Sequence, residues 1–325
     1  MTAEVSIIIP AWHEEKTIVR TLVALKQLNY PLKECELIIT ASAEDNTHSI
    51  AQRNSMSEFS RYLVLKQEPG GKNVALHQGI KEAKGEIIVL LDADTIVDKD
   101  WLSELTKPIK SGEVVCTNGN FFPLSPSWMN NYFIIEKIWA RNLLKQQSTN
   151  GQGGIAFKRE LISLIGSKVL FNGKILIGVD HYFGEQLIKR GYRIYFAEKA
   201  KTRTYFNSTF KGFVHRESRW LNGYAKLITK SRLVKIIAFN LSICSSFILS
   251  FYSRFFLLIF SIYLFYLLIQ SIFSSVKSSD INLLLYFPVY SLLNLFDRIM
   301  ALIIFSKELL GLNKRVLVHF KGERK

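Results

Sequence analysis

The chain has 325 residues, of which 48% are hydrophobic, and its mean hydropathy is +0.13. This composition is too apolar for one ordinary soluble domain, and the excess lies from Ile236 onward, where Ile, Leu, Phe, Tyr and Ser dominate. The formal charge of +15 is compatible with nucleic-acid binding. However, the basic residues flank the apolar segments, as they do beside an anionic membrane leaflet. We therefore expect a membrane as partner and no nucleic acid.

The cysteines and the amino-terminal segment indicate the cellular compartment. Cys35, Cys116 and Cys244 are odd in number and are not spaced like metal ligands, so neither a disulfide framework nor a zinc site is expected. The first apolar segment, residues 5–9, is too short for a signal peptide and has no basic leader. We expect the amino-terminal domain to stay on the cytoplasmic side of the cell membrane.

Strand and helix patterns alternate through the first two thirds of the chain, which is typical of an α/β domain. The predicted elements are a strand at 5–9 stopped by Pro10, a helix from Ile18, strands at 36–40 and 62–65, a helix at 73–83 closed by Gly85, a strand at 87–91, a helix at 101–110, a strand at 113–118, helices at 128–145 and 179–190, and a strand at 192–196. This order predicts a nucleotide-binding α/β fold.

Two carboxylates follow the central apolar strand. Five apolar residues in a row after Gly85 and Glu86 predict a strand buried on both faces. Because side chains alternate along a strand, Asp92 and Asp94 can point the same way beyond its carboxyl end, with Ala93 leaving space between them. Such a pair suits a hard cation such as Mg²⁺ that takes further ligands from substrate phosphates. The alternative is that Asp94 or Asp98 caps a helix around residues 100–105.

A glycine-rich segment at residues 151–157 is a second candidate for ligand contact. Its glycines allow close approach of the backbone to a ligand, or only a tight turn.

The basic segment at 213–235 has the pattern of a helix lying in a membrane interface, with a surface helix of the globular domain as the alternative. Its basic side is predicted to hold Arg216, Arg219, Lys226 and Lys230, and its apolar side Trp220, Tyr224, Leu227 and Ile228.

The apolar region after residue 235 is too long for one membrane span, which needs about 20 residues. We predict an interfacial segment up to about Ser253 and then spans near 255–273 and 281–305, with Asp297 and Arg298 paired or facing protein. The predicted division of the chain is an α/β domain at 1–210, a basic amphipathic interfacial region at 211–235, a membrane region at 236–310 and a basic cytoplasmic tail at 311–325.

Several short motifs follow one another in order along residues 5–223. They are Pro-Ala-Trp-His-Glu-Glu at 10–15, Gly-Lys-Asn-Val-Ala-Leu-His-Gln-Gly at 71–79, Asp-Ala-Asp-Thr at 92–95, Gly-Ile-Ala-Phe-Lys-Arg-Glu at 154–160, Val-Asp at 179–180 and Arg-Glu-Ser-Arg-Trp at 216–220. Together they resemble the family 2 glycosyltransferases of the GT-A fold. The resemblance implies a Rossmann-like nucleotide-diphospho-sugar transferase domain, here followed by interfacial and transmembrane helices.

That resemblance also implies a reaction and a set of site residues. A single sugar would pass with inversion from a nucleotide-diphosphate sugar to a lipid-linked or membrane acceptor. Asp180 matches the acid that the family uses as base, and Asp92 and Asp94 would hold Mg²⁺ or Mn²⁺. The residues implied to bind the nucleotide sugar are Pro10, Trp12, Glu14, Asp45, Lys72, Asp92, Ala93, Arg216, Arg219 and Trp220, and Gly153 and Gly154 lie on the acceptor side.

Some of these assignments have structural alternatives. Asp180 is also placed to cap its helix, and Glu14 to favour the positive end of its own. Lys72 is either a phosphate ligand or a solvated lysine, and Trp220 either stacks on a sugar or anchors the helix in the membrane interface.

The chain departs from the family pattern at residues 41–47, where the usual base-contacting Asp is missing, so the nucleotide stays unnamed. His13, Val179 and Arg216 also replace the family's Asn, acid and Gln. Two other hypotheses are a catalytically inactive membrane scaffold and a sugar nucleotidyltransferase. Single transfer is expected because processive synthases usually have spans before the catalytic domain as well as after it.

Overall fold

The computed structural model describes residues 3–125, 127–142, 149, 151–175 and 178–312. They form two compact units. The first lies within residues 3–124 and 149–205, and the second comprises residues 125–142 and 206–312.

A mixed sheet, with eight strands among the described residues, is the framework of the first unit. The strands are β1 (Val5–Ala11), β2 (Cys35–Ala41), β3 (Arg61–Lys66), β4 (Ile87–Leu90), β5 (Thr95–Val97), β6 (Cys116–Pro123), β7 (Ile155–Lys158) and β8 (Ile194–Thr204). Their order is β3-β2-β1-β4-β7-β6-β8-β5. The first four are parallel, whereas β7 pairs antiparallel with both β4 and β6. The parallel half places the carboxyl ends of β1, β2 and β4 at one edge.

Helices of the first unit cover both faces of the sheet. In chain order the helices are α1 (Ile18–Lys26), α2 (Thr47–Arg53), α3 (Lys72–Glu82), α4 (Trp101–Lys110), α5 (Trp128–Asn142), α6 (Glu160–Ile165), α7 (Ser167–Leu170), α8 (Val179–Ile188), α9 (Phe210–Leu227), α10 (Lys230–Leu249), α11 (Arg254–Ser278), α12 (Asn282–Leu285) and α13 (Phe287–Leu309). Ile7 and Ile9 of β1 belong to a core with α1 and α4, while Ile8 belongs to a core with α3 and α8. The alternation along β1 therefore builds both cores.

Pro10 does not stop the first strand. The predicted end at Ile9 is wrong, because β1 continues to Ala11 and stays paired with β2. The pairing of β1 with β4 ends at Ile8. Proline is tolerated here because no ladder bond on that side needs its N–H.

Gly85 does not cap α3 in the predicted way. The helix ends in extended backbone at Ala83, and Gly85 does not have a positive φ. A Cβ on Gly85 would lie 2.6 Å from the nitrogen of Ser6, and the Gly85 N–H donates to Ser6 Oγ at 2.8 Å. The glycine is needed because the turn into β4 passes directly against β1.

A buried carboxylate fastens this turn to the sheet. Glu36 of β2 is 1% exposed and accepts hydrogen bonds from Ser6 Oγ at 2.6 Å, from Arg61 Nη1 at 3.0 Å and from the backbone of Lys84 and Gly85. Burial alone would raise the pKa of Glu36, but these donors outweigh burial and hold the pKa below its usual value. Glu36 therefore stabilises the fold above the pH at which carboxylates of the unfolded chain ionise.

We expect Glu36→Gln to lower the free energy of unfolding by about 2 kcal/mol or more, because it leaves Arg61 and two backbone donors with a weaker partner. Thermal unfolding in detergent, followed by tryptophan fluorescence, measures the effect. The loss of stability relative to the parent protein should shrink as the pH falls through the pKa of Glu36, because the parent carboxylate is then protonated too.

The matched control for this substitution is Glu82→Gln. Glu82 is half exposed and bonds the same Arg61 at 3.1 Å, so its effect should stay within about 0.5 kcal/mol. Equal effects of the two substitutions would contradict this account of Glu36.

The second unit contains the apolar helices. Helices α10, α11 and α13 are long and apolar enough to cross a membrane. The segment predicted as interfacial up to Ser253 is thus mostly one continuous helix, and the stretch 281–305 is divided between α12 and α13. The predicted helix end at Lys145 and most of the predicted tail, residues 313–325, lie outside the described residues.

Polar side chains of the apolar helices face one another. The Tyr290 hydroxyl lies 2.5 Å from Glu136 Oε1 and 2.5 Å from Gln270 Oε1. Asn294 donates to Glu136 at 3.0 Å, and Arg298 Nε donates to Asn294 Oδ1 at 3.3 Å. Arg298 therefore faces protein, as expected for a charge in an apolar helix.

Candidate active site

One ammonium group joins two carboxylates at the carboxyl edge of the parallel strands. Lys72 is the first residue of α3, Asp92 follows β4, and Asp180 lies in the first turn of α8. Lys72 Nζ donates to Asp92 Oδ1 at 2.7 Å and lies 3.0 Å from each carboxylate oxygen of Asp180. The fold thus brings Lys72 into contact with Asp180, which lies 108 positions later in the chain.

The charges of this cluster favour its protonated lysine. Burial would lower the pKa of Lys72, but the negative charges of Asp180 and Asp92 outweigh burial and raise the pKa above its usual value. The side chains of all three residues are between 22% and 27% exposed, so the cluster is still open to a ligand. Lys72 is therefore not the solvated lysine that was one of the two alternatives.

Three neighbours hold the cluster in position. The Asn73 amide donates to the carbonyls of Asn172 at 2.7 Å and Ile175 at 3.1 Å, which fixes the start of α3. The Thr149 hydroxyl donates to the backbone carbonyl of Asp180. A Cβ on Gly151 would lie 2.7 Å from Asp92 Oδ1 and 2.8 Å from Lys72 Nζ, so a larger residue there would displace one of these side chains.

The Asp92-Ala93-Asp94 segment is shaped by the end of β4 rather than by the next helix. Thr21 Oγ1 donates to the carbonyl of buried Ala93 at 2.8 Å, and Asp94 is half-buried. The N-cap position of α4 is Asp100, whose side chain makes no capping bond. Neither carboxylate of the pair caps that helix.

The loops after β1 and β2 are tied together at the same edge. Thr47 Oγ1 accepts from the Glu14 N–H at 2.8 Å and donates to Asp45 Oδ2 at 2.7 Å. Pro10 is the penultimate residue of β1, Trp12 packs edge-on against His13, and His13 Nδ1 lies 3.8 Å from Asp45. The structure therefore brings together the loops that hold these residues, and their binding of the nucleotide sugar stays a prediction.

Gly153 and Gly154 approach protein atoms closely. The Trp101 indole N–H donates to the Gly153 carbonyl at 3.0 Å, and the Gly119 N–H donates to the Gly154 carbonyl at 2.9 Å. A Cβ on Gly154, which has φ +80°, would lie 2.4 Å from the Trp101 ring. Both glycines are thus required by packing, and their acceptor-side role stays a prediction.

Arg216, Arg219 and Trp220 belong to the second unit, on α9. Arg216 is 7% exposed, and its guanidinium lies 5.0 Å from the Phe206 ring and 5.5 Å from the Trp220 ring. The prediction that Arg216 and Trp220 lie on opposite sides of the helix is therefore wrong. Positions 213, 216, 217 and 220 share one helical face, and the aromatic rings on that face stabilise the cation.

Arg216 also pairs with a buried acid. Its Nε donates to Glu217 Oε1 at 3.1 Å, while Nη1 and Nη2 have no hydrogen-bond partner among the described residues. Burial, together with the negative charge of Asp297, raises the pKa of Glu217 to about 7. Nucleotide-sugar binding by Arg216, Arg219 and Trp220 remains a prediction.

Sequence reasoning missed three features of the site: the bridge from Lys72 to both carboxylates, the support from Thr149, and the space left by Gly151. The last was detectable in part, since glycine-rich sequence precedes β7. The described residues contain no group of three or more His, Cys, Asp or Glu side chains that could hold a metal ion.

Comparison with known proteins agrees with this fold. The model of "Glycosyl transferase family 2" matches residues 6–165, and that of "Glycosyl transferase family group 2" matches residues 87–296, more than half of the chain. The protein belongs to the family 2 glycosyltransferases, which confirms the predicted family.

Individual relatives are more distant. Glycosyltransferase AglE of Haloferax volcanii is 22% identical over 197 residues, covering 59% of this chain and 64% of AglE. Poly-β-1,6-N-acetyl-D-glucosamine synthase of Staphylococcus aureus is 27% identical over 233 residues, covering 67% of this chain and 54% of the synthase. The chain thus spans less than two thirds of the length of these curated relatives.

A solved structure supports the fold. Mannosyltransferase PcManGT from Pyrobaculum calidifontis, determined with GDP-Man and Mn²⁺, covers 97% of this chain and 89% of its own, with a TM-score of 0.59 and 19% identity. The predicted GT-A fold followed by apolar helices is confirmed.

We expect Gly151→Ala to lower glycosyltransferase activity about tenfold or more, because the added methyl displaces Asp92 or Lys72 from their contact. The control is Gly173→Ala, where the new Cβ would meet Val74 at an ordinary 3.6 Å. Donor turnover by purified protein, with unfolding temperature measured in parallel, checks the effect. Equal activity of the two variants would contradict the proposed packing around Asp92.

Proposed function

We propose that this glycosyltransferase moves a single sugar, with inversion, from a nucleotide-diphosphate sugar to a lipid-linked or membrane acceptor, with help from a divalent cation. The observation that carries the proposal is the contact of Lys72 with both Asp92 and Asp180. It brings the residue expected at the donor diphosphate next to the residue expected to act as base.

Donor binding falls to the loops after β1, β2 and β4. The linked side chains of Glu14, Thr47 and Asp45 form a polar edge for the nucleoside, and Trp12 offers a ring beside it. Lys72 has three ammonium hydrogens and therefore keeps the capacity to donate to a phosphate oxygen as its contacts rearrange.

The donor set at Asp92 and Asp94 fits Mg²⁺ or Mn²⁺. Both residues offer carboxylate oxygens only. The space beside Asp92 is open because residue 151 is a glycine, and a Cβ at that position would fill it. Among the described residues there is no third protein ligand. A hard cation in such a site takes its other ligands from water and substrate phosphates. When bound, the cation neutralises charge on the diphosphate leaving group.

Asp180 is the proposed general base. Its carboxylate is held at the first turn of α8 by Lys72, while Thr149 fixes its backbone. During in-line attack at the anomeric carbon, an Asp180 carboxylate oxygen takes the proton of the acceptor hydroxyl. Attack from the face opposite the leaving group inverts the configuration of that carbon.

The second unit supports the proposed acceptor class. It holds three helices long and apolar enough to cross a membrane, and a lipid-linked acceptor would reach a membrane enzyme by diffusion in two dimensions. The enzyme is proposed to be a multi-pass protein of the cell membrane with its α/β unit in the cytoplasm.

Nucleoside diphosphate release tests this proposal. Detergent-purified protein receives UDP-, GDP- and dTDP-sugars in turn, with membrane lipid extract, and with Mn²⁺, Mg²⁺ or chelator. We expect release with one donor that requires both extract and cation.

The variants assign the roles. Asp180→Asn should reduce release by about 10²-fold or more and change donor binding much less, because Asn still reaches Lys72 but cannot take the proton. Asp94→Asn should weaken cation-dependent donor binding itself. Asp98→Asn is the matched control, since Asp98 pairs with Arg203 at 2.5 Å outside the cluster. Full turnover by Asp180→Asn would exclude Asp180 as the base.

Repeated transfer is a second candidate, because a relative is named as a polysaccharide synthase. Mass spectrometry of the lipid product separates the two: one added sugar supports single transfer, and a ladder of products supports a polymerase.

A further inference from the structure

Helices α10 and α11 form an antiparallel hairpin. Four residues, 250–253, join them. The rings of Phe247 in α10 and Phe260 in α11, on either side of this connection, lie 5.1 Å apart. The tip of the hairpin includes the highly exposed side chains of Phe251 and Tyr252.

Helix α13 runs antiparallel to α10. Arg298 Nη1 lies 3.4 Å from Asn240 Oδ1. Further along α13, Ala301 and Phe305 share a buried cluster with Leu233, which lies earlier in α10. Later residues of α13 therefore contact earlier residues of α10, as in an antiparallel pair of helices.

Helix α13 is also antiparallel to α11 in its contacts. Tyr290 meets Gln270 at 2.5 Å, and Asn294 accepts a hydrogen bond from Tyr263. Three helices that all lie near one axis cannot be pairwise antiparallel, because two of them must then run in the same direction. At least one of the three helices is steeply inclined to the others.

The heights of the contacts show which helix this is. With a rise of 1.5 Å per residue, counted from the last residue of α10 or the first residue of α11, the hairpin positions that successive parts of α13 touch lie about 24 Å (Gln270), about 14 Å (Tyr263), about 14 Å (Asn240) and about 24 Å (Leu233) from the tip. Both ends of α13 thus lie towards the open end of the hairpin. A crossing helix would instead move steadily from one end to the other.

The basic residues also distinguish the open end of the hairpin from its tip. The open end of the hairpin, with the adjoining helix ends, carries Lys226, Lys230, Arg232, Lys235, Lys277 and Lys307. At the tip the only basic residue among positions 247–260 is Arg254. Clusters of Lys and Arg stay on the cytoplasmic side and bind anionic lipid there.

Helix α9 lies along α13. Phe210 contacts Phe296 at 5.2 Å between ring centroids, and Tyr224 contacts Phe305 at 6.3 Å. Helix α9 carries basic and aromatic residues together, as helices in the membrane interface do. The pairing therefore places α13 at the same level.

We propose that α10 and α11 are the two membrane crossings and that α13 lies in the plane of the membrane on the side of the α/β unit. The exposed apolar side chains of α13, Leu292, Ile299 and Ile303, contact lipid of the anionic leaflet. This differs from the expectation of spans at 255–273 and 281–305, and it does not depend on the proposed reaction.

Labelling of single cysteines with a membrane-impermeant maleimide, in sealed vesicles of known orientation, tests the topology. The background is Cys244→Ala, because Cys35 and Cys116 are buried. The probes are Tyr252→Cys at the tip, Ile281→Cys between α11 and α13, and Leu312→Cys after α13, with Leu164→Cys as the reference in the α/β unit; all four positions are at least 61% exposed.

We expect positions 281 and 312 to label from the same side as 164, and position 252 from the opposite side. Three crossings would place 252 and 312 opposite to 164. Crossings by α11 and α13 would place only 281 opposite. Labelling of all four from one side would mean that the hairpin does not cross. Each of these three patterns overturns the proposal.

A matched pair of lysine substitutions tests the depth of α13 separately. Ile262 and Ile299 are exposed residues near the middle of α11 and α13, respectively. We expect Ile262→Lys to lower the amount of membrane-inserted protein several-fold, and Ile299→Lys to leave it near the parental amount, because an in-plane lysine reaches the interface. An equal loss for both variants would contradict an in-plane α13.

Discussion

The ammonium group of Lys72 stands between two carboxylates that would otherwise repel each other, and several elements of the first unit depend on that contact. It fixes the start of α3 against the end of β4 and the first turn of α8. A Cβ on Gly151 would displace the side chain of Asp92 or Lys72, and Thr149 and Asn73 hold the backbones of Asp180 and of the start of α3. The ammonium charge of Lys72 therefore holds together α3, the end of β4 and the start of α8 at the candidate site.

That arrangement explains how far sequence reasoning reached. The carboxyl edge was predictable because an apolar run that ends in Asp92 has few interpretations other than a buried strand with a polar end. The partner of Asp92 was not, because Lys72 and Asp180 are joined by tertiary packing and not by any local period. Gly85 shows the same limit: its position after a helix indicated a cap, whereas its contact with Ser6, on another strand, decides its conformation.

In the second unit, composition predicted which segments are apolar helices but not how those helices are oriented. Hydropathy identifies α10, α11 and α13 equally well, because it reports what surrounds a helix and not its direction. The helical-wheel expectation for Arg216 failed for a related reason. A guanidinium is charged but also flat and polarisable, so a face of aromatic rings can hold it away from water.

The buried polar side chains of the apolar helices explain why α13 keeps its inclination. Tyr290, Asn294 and Arg298 recur every four residues on one face, and each hydrogen-bonds to another helix or along that face. Rotating or tilting α13 to the membrane normal would separate these groups from their partners in an environment with no water to replace them. Polar contacts that cost stability in an oil-like core thus select one geometry among those that apolar packing alone would allow.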